Sequence, residues 1–191
     1  MNSSSTVFWI VVGVVILILA IVLIMSSSSR ADVFPVVEGR WARCTSETRD
    51  TRTYVKGFCG RHAFLSNFYE HPIVRNGIRY GSSEAAYQAA KYDDRPAIQQ
   101  LFINVTPDES KKLVAANSYD ARAFSRRRVD VMRQVLEAKF ADPTLRRLLL
   151  ATGQKQLEEY NWWGDTYWGV TRIGGANQLG TMLMQLRERL R

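Results

Sequence analysis

Charge is missing from the first 29 residues, and cysteine and histidine are scarce along the whole chain. The two histidines, His62 and His71, have no partner at metal-ligand spacing, so no bound transition metal is expected. Two cysteines, Cys44 and Cys59, do not make a disulfide scaffold, and in a domain facing the cytosol both are read as free thiols. No strand–GxGxxG–helix arrangement occurs, which sets aside the usual dinucleotide fingerprint. No internal repeat is visible, so repeat architectures are set aside too.

The charge-free region holds an unbroken apolar run at residues 7–25, "VFWIVVGVVILILAIVLIM", without proline. At 1.5 Å per residue it spans about 28 Å, close to the hydrocarbon thickness of a bilayer. The preceding "MNSSST" has no basic residue, the run is long for a signal peptide, and "LIMSSSS" is a weak cleavage site. The expectation is an uncleaved transmembrane anchor. Arg30, Arg40 and Arg43 follow the run and no Lys or Arg precedes it, which favours a single-pass membrane protein with its C-terminal domain in the cytoplasm. The organisation expected is a tail at 1–6, the anchor at 7–25, a linker at 26–50 and one domain at 51–191.

All the charge, a net +8, therefore lies beyond residue 29. A basic balance suits anionic partners: phosphates, nucleotides, nucleic acid or an anionic leaflet. Within the domain, "RTYVKGF" alternates like a strand, and "HPIVRNGIRYGSS" reads as a hairpin around Asn76-Gly77, a pair that accepts positive φ at both turn centres. Ser82 or Ser83 then caps a helix. Pro96 opens a short helix through Ile103, and Thr106-Pro107 with Glu109 forms a capping box for a helix ending near Asn117. Val129, Met132, Leu136 and Phe140 mark an amphipathic helix within 119–140, and Asp142-Pro143 caps the next one, which stops at Gly153. Residues 156–160 read as a strand or a helical turn, and residues 179–190 as a terminal helix. The fold class is α+β: a mostly helical single domain with a small antiparallel β element, plus the N-terminal transmembrane helix.

Three stretches hold the groups that carry chemistry. In "FLSNFY", Asn67 sits among aromatics such as Phe68, where an unpartnered amide costs about 1–3 kcal/mol. It either closes a local Asx turn or waits for a ligand. In "YGSSEAAYQAAKYDD", Glu84, Tyr87, Gln88 and Lys91 share one helical face while four alanines fill the other. That face is either wet surface or the wall of a pocket. Glu84 and Lys91 stand about 10 Å apart along the axis, room enough to bracket a small ligand. In the third stretch, "NWWGDTYWG", the aromatics form either a core lid or a stacking platform. "GGANQLG" offers free N–H groups for a phosphate at the last helix.

The order of "FLSNF", a hairpin, "SSEAAYQAAKY", "VDVMRQVLEAKF", "LLLATG" and "DTYWG…GGANQLGTMLMQLR" resembles the NADAR or YbiA-like family across residues 54–191. Ala85 or Ala86 stands where that family usually has histidine. The resemblance implies a YbiA-like fold and hydrolysis of an N-glycosidic bond to ribose. The substrate implied is a phosphorylated N-riboside such as a riboflavin-pathway intermediate, or an ADP-ribosyl group on a guanine base. Carried onto this sequence, it makes Lys91 the electrophile-binding lysine and Glu84 the acid/base. Asp165 and Asn67 position ribose hydroxyls, Phe68, Tyr87 and Trp168-Gly169 border the ring, and Asn177 and Gly180 hold phosphate or shape the wall. No cofactor is called for. Two other readings stand beside this one. The first is a non-catalytic, membrane-tethered ADP-ribose or nucleotide sensor. The second is a basic nucleic-acid binder, though the only basic clusters are 126–128 and 146–147.

Overall fold

The computed structural model describes residues 44–191. The tail at 1–6, the apolar run at 7–25 and most of the linker lie outside the described residues. Among the described residues no helix is long and apolar enough to cross a membrane. The order of elements is β1 (Arg49–Asp50), β2 (Tyr54–Lys56), a 3₁₀ segment (Gly60–Leu65), β3 (Glu70–Arg75), β4 (Ile78–Ser82), α1 (Ser83–Ala89), α2 (Pro96–Gln99), α3 (Pro107–Ala116), α4 (Ala121–Lys139), α5 (Pro143–Ala151), β5 (Gln156–Glu158) and α6 (Gln178–Arg189).

The hairpin forms where expected. Asn76 and Gly77 both take positive φ, 51° and 77°, and the register pairs Ile73 with Tyr80 and Arg75 with Ile78. Ile73 and Arg75 point inward. The buried Arg75 guanidinium meets the Asp93 carboxylate through two bonds of 2.8 and 2.7 Å, and Arg127 donates to the same group at 2.7 Å. Burial alone would raise the Asp93 pKa, but these two arginines outweigh it and hold it below the ordinary range. The hairpin is thereby fastened to the chain just beyond α1. Ser82 is the cap of that helix, its hydroxyl accepting from the Ala85 N–H at 3.1 Å.

Ala85, Ala86, Ala89 and Ala90 are fully buried, so α1 sits close against β3, β4, α3 and α4. Its other face is buried as well: Glu84, Tyr87 and Gln88 are all inside. The wet-surface reading of this helix therefore fails. α3 carries the full capping box, and Asp142 caps α5 through the Thr144 and Leu145 amides at 2.8 and 2.9 Å. The buried stripe of α4 runs Phe124, Val131, Met132, Val135, Leu136 and, unexpectedly, Lys139.

Two features depart from the sequence reading. First, the hairpin is not the only sheet. β1, β2 and β5 form a second one in the order β1-β2-β5, antiparallel between the first two and parallel between β2 and β5. The alternation in 52–58 marks β2 and residues 156–160 contain β5, but their pairing joins segments far apart in the chain. β1 moreover falls inside the stretch read as linker. Second, Cys44 and Cys59 are not free thiols but a disulfide, with Cα atoms 5.3 Å apart. The β1–β2 turn brings Cys44 beside the bend at Gly60, whose φ is +53°. Closing a loop of this 15-residue separation stabilises the fold by about 3 kcal/mol.

Candidate active site

The polar face of α1 is fixed from both sides. The Glu84 N–H donates to the Asn67 carbonyl at 2.9 Å, and the Gln88 amide donates to the Glu84 carboxylate at 2.7 Å. Burial pushes the Glu84 carboxyl above its ordinary pKa. The Gln88 bond, Lys111 and Lys91 oppose that shift, and Asp165 adds to it. Lys91 moves the other way: burial lowers its pKa, Glu84 opposes and Lys111 assists. Its Nζ lies over the ring of Tyr119 at 4.7 Å and that of Phe124 at 5.8 Å. A half-buried amine and a buried carboxyl thus each feel the other's charge.

Aromatic rings wall this pair. Tyr87 meets Phe124 edge-on at 5.4 Å and Trp168 at 5.5 Å. Burial first, and Glu84 second, push the Tyr87 hydroxyl up. Trp168 in turn meets Tyr167 at 5.0 Å. Lys111 reaches in from α3, its Nζ 4.8 Å from the Phe68 ring. Trp162 and Trp163 do not join the wall: they contact each other and are 72% and 52% exposed.

Asp165 is held by Asn161, whose Oδ1 accepts from the Asp165 N–H at 2.9 Å while its Nδ2 donates to the Asp165 carbonyl at 2.7 Å. One Asp165 carboxylate oxygen accepts from the Tyr167 and Trp168 amides, which sets the bend that delivers Trp168 to Tyr87. Its charge is felt by Glu84, so the structure brings Glu84, Lys91, Tyr87, Trp168, Asp165 and Asn67 into one region.

Gly169, Asn177 and Gly180 serve the frame instead. A Cβ on Gly169 would lie 2.3 Å from the Glu159 carbonyl oxygen, and one on Gly180 would lie 2.0 Å from that of Leu157. Asn177, at φ 49°, accepts from the Glu159 N–H at 3.1 Å and donates to the Leu157 carbonyl at 2.9 Å, so both ends of its amide are engaged. The N–H groups of Gln178 and Leu179 donate to the Tyr167 and Trp168 carbonyls. The phosphate cradle expected at this helix start is therefore filled by the aromatic loop.

Two residues escaped the sequence reading. Lys139 is fully buried, donates to the Ser66 carbonyl at 2.6 Å, and is lowered by burial to about 7, with Glu159 opposing. Glu159 is pushed up by burial to about 8. Lys139 opposes that shift, and Asp165 and Glu84 reinforce it. Period-two alternation puts Glu159 on the same side as buried Leu157, and the α4 stripe runs into Lys139, so both left a trace in the sequence. Buried oxygens without a protein hydrogen-bond partner include Asn67 Oδ1, Ser83 Oγ, Gln88 Oε1 and Glu159 Oε2. Buried polar atoms are normally paired, so these four oxygens are open to a partner from outside the protein, water or ligand. Carboxyl and amine pKa values displaced toward neutrality suit proton transfer and nucleophilic attack.

Comparison with known proteins gives a consistent picture. Residues 53–191 match the NADAR domain. The chain is 36% identical over 129 residues to N-glycosidase YbiA of Escherichia coli (strain K12), covering 66% of this chain and 80% of that protein. It is 38% identical over 136 residues to a riboflavin biosynthesis protein of Vibrio vulnificus (strain YJ016), covering 68% of this chain and spanning 36% of that longer protein. An N-glycosidase of Nostoc punctiforme is 31% identical over 133 residues, covering 66% of this chain and 85% of that protein. The NMR structure of E. coli YbiA superposes with a TM-score of 0.64 at 31% identity, covering 81% of this chain and 93% of that one.

Proposed function

The chain belongs to the NADAR-domain family, and from that membership and the site we infer that it is an N-glycosidase, a hydrolase of N-glycosyl compounds. We propose that the bond it cleaves joins a nitrogen to the ribose of a phosphorylated N-riboside of the riboflavin-intermediate kind, or of an ADP-ribosyl group on guanine. The observation that carries this reading is the pairing of buried Glu84 on α1 with half-buried Lys91 in the 3₁₀ turn Ala90–Tyr92 that follows it, each shifting the other's pKa. Breaking the bond develops positive charge at C1 of the ribose. The Glu84 carboxylate opposes that charge and accepts a proton from the attacking water. Desolvation favours the neutral form of Lys91, which suits it to capture C1 of a ring-opened ribose as an imine that water then releases. The aromatic wall of Tyr87 and Trp168 covers the ligand. In the same reading, residues 7–25 hold the domain to a membrane.

The test is to incubate the full chain separately with a 5-phosphoribosylamino pyrimidine, ADP-ribosyl-guanosine and NAD, and to follow released base. Release from at least one, with loss on the order of a hundredfold or more in Glu84→Gln, is the expected result. Borohydride trapping on Lys91 separates the imine route from direct attack by water. Binding without release from any of the three would make the chain a sensor. Affinity for oligonucleotides alone, falling steeply with salt, would make it a nucleic-acid binder.

A further inference from the structure

Taking the N-glycosidase reading as given, we propose that Glu159 is the proton donor to the departing nitrogen, and that Lys139 stabilises the carboxylate left behind. Hydrolysis of an N-riboside asks for two opposite services from carboxyl groups: one ionised toward C1 and one protonated toward the leaving group. Burial raises the pKa of Glu84 as well, but the Gln88 amide donates to its carboxylate at 2.7 Å and Lys91 and Lys111 oppose the shift, so of the two carboxyls it is the one with partners for the ionised form. Glu159 fits the second. Its Oε2 is buried and has no protein hydrogen-bond partner. The charged groups facing it are Lys139 from α4, Asp165 from the aromatic loop and Glu84 from α1. The two carboxylates and the burial favour its protonated form at neutral pH, and only Lys139 works against that.

The placement is rigid. The Glu159 N–H donates to Asn177 Oδ1 at 3.1 Å, and its carbonyl accepts from the Val170 N–H at 2.9 Å. Gly169 leaves room for its side chain, since a Cβ there would come within 3.2 Å of Glu159 Cγ. Lys139 is anchored on the Ser66 carbonyl at 2.6 Å, one residue before Asn67. Glu159 is thus coupled electrostatically to Glu84 and Asp165 on one side and to the buried Lys139 amine on the other.

The step balances simply. As the C1–N bond breaks, its electron pair stays on nitrogen, which takes the Glu159 proton, and the charge of protonated Lys139 stabilises the new carboxylate. Water adds to C1 and gives its proton to Glu84, which passes it through solvent to restore Glu159. On the imine route the departing amine needs the same proton.

The experiment uses 5-phosphoribosyl derivatives of 4-methoxyaniline, aniline and 4-nitroaniline with the full chain, its Glu159→Gln and its Glu159→Asp variants. The wild type should cleave all three at similar rates. Glu159→Gln should lose on the order of a hundredfold or more with the methoxy compound and under about tenfold with the nitro compound, whose amine departs unaided. Glu159→Asp should recover part of the loss. The wild-type rate on the methoxy compound should fall as pH rises through about 8, a limb absent from Glu159→Gln. An equal loss across the series, or none, overturns the proposal. Should the variants fail to fold, ¹³C-carboxyl NMR of the wild type decides, and a Glu159 signal titrating near 4 rejects it. A wild type that cleaves no riboside sinks the N-glycosidase reading itself, which is a different result from an intact enzyme indifferent to Glu159.

Discussion

Two regions of this molecule bury polar side chains, and they treat them oppositely. Where the aromatic loop meets β5 and α6, Asn161 and Asn177 have both ends of their amides bonded to backbone. Around α1, Asn67, Ser83 and Gln88 each leave an oxygen buried without a protein partner, as does Glu159 at the edge of the first region. Desolvation costs the same in both places. The first region recovers it within the fold, and the second leaves it to be recovered by a ligand.

The strongest way to break the frame is Gly180→Ala. Its Cβ would overlap the Leu157 carbonyl oxygen at 2.0 Å, so the loss is on the order of 4 kcal/mol or more, and a thermal melt should show a collapsed or absent transition. Next comes the matched pair Asn161→Ala and Asn67→Ala. The first should cost about 2–3 kcal/mol, because it strips partners from two buried backbone groups. The second should change stability by less than about 1 kcal/mol while lowering kcat/KM on the cleaved riboside about tenfold or more. Equal stability losses in the two variants would erase the distinction between the regions.

The smallest effect is in the pH dependence. Glu159 is raised in the folded state to about 8, so its contribution to stability is full below about 4.5 and is lost as pH climbs toward 8. Lys139, lowered to about 7, acts oppositely, with stability gained only as pH rises beyond 7. Between pH 5 and 7 the carboxyl acts alone. Over that interval the melting temperature of Glu159→Gln should improve steadily relative to wild type, and a constant difference would place the Glu159 proton elsewhere.

Much of the fold can be read from local chemistry in the sequence. Asn76-Gly77, Ser82, the Thr106–Glu109 box and Asp142 act within a few residues of themselves, and each forms the turn or cap its side chain favours. The parallel pairing of β2 with β5 and the Cys44–Cys59 bond join distant segments through backbone geometry, which no local pattern encodes. The site divides the same way. Glu84 and Tyr87 follow from helical spacing on α1, whereas Lys91 falls just beyond it, in the 3₁₀ turn Ala90–Tyr92. The electrostatic coupling of Lys139 with Glu159 joins α4 to the end of β5, two segments whose local patterns hint at burial without showing that they interact. Asn177 misled because an asparagine beside glycines suits a phosphate loop and a left-handed helix entry equally well.

The cystine between Cys44 and Cys59 also bears on where this domain can work. Glutathione keeps such pairs open in most cytosols, whereas periplasmic and extracellular surroundings let them close. The arginines after residue 29 argue for the reducing side and the closed bond for the oxidising one. Were residues 7–25 to hold the domain to a membrane, as proposed, thiol labelling would report its side: two reactive thiols in a reducing compartment and none in an oxidising one.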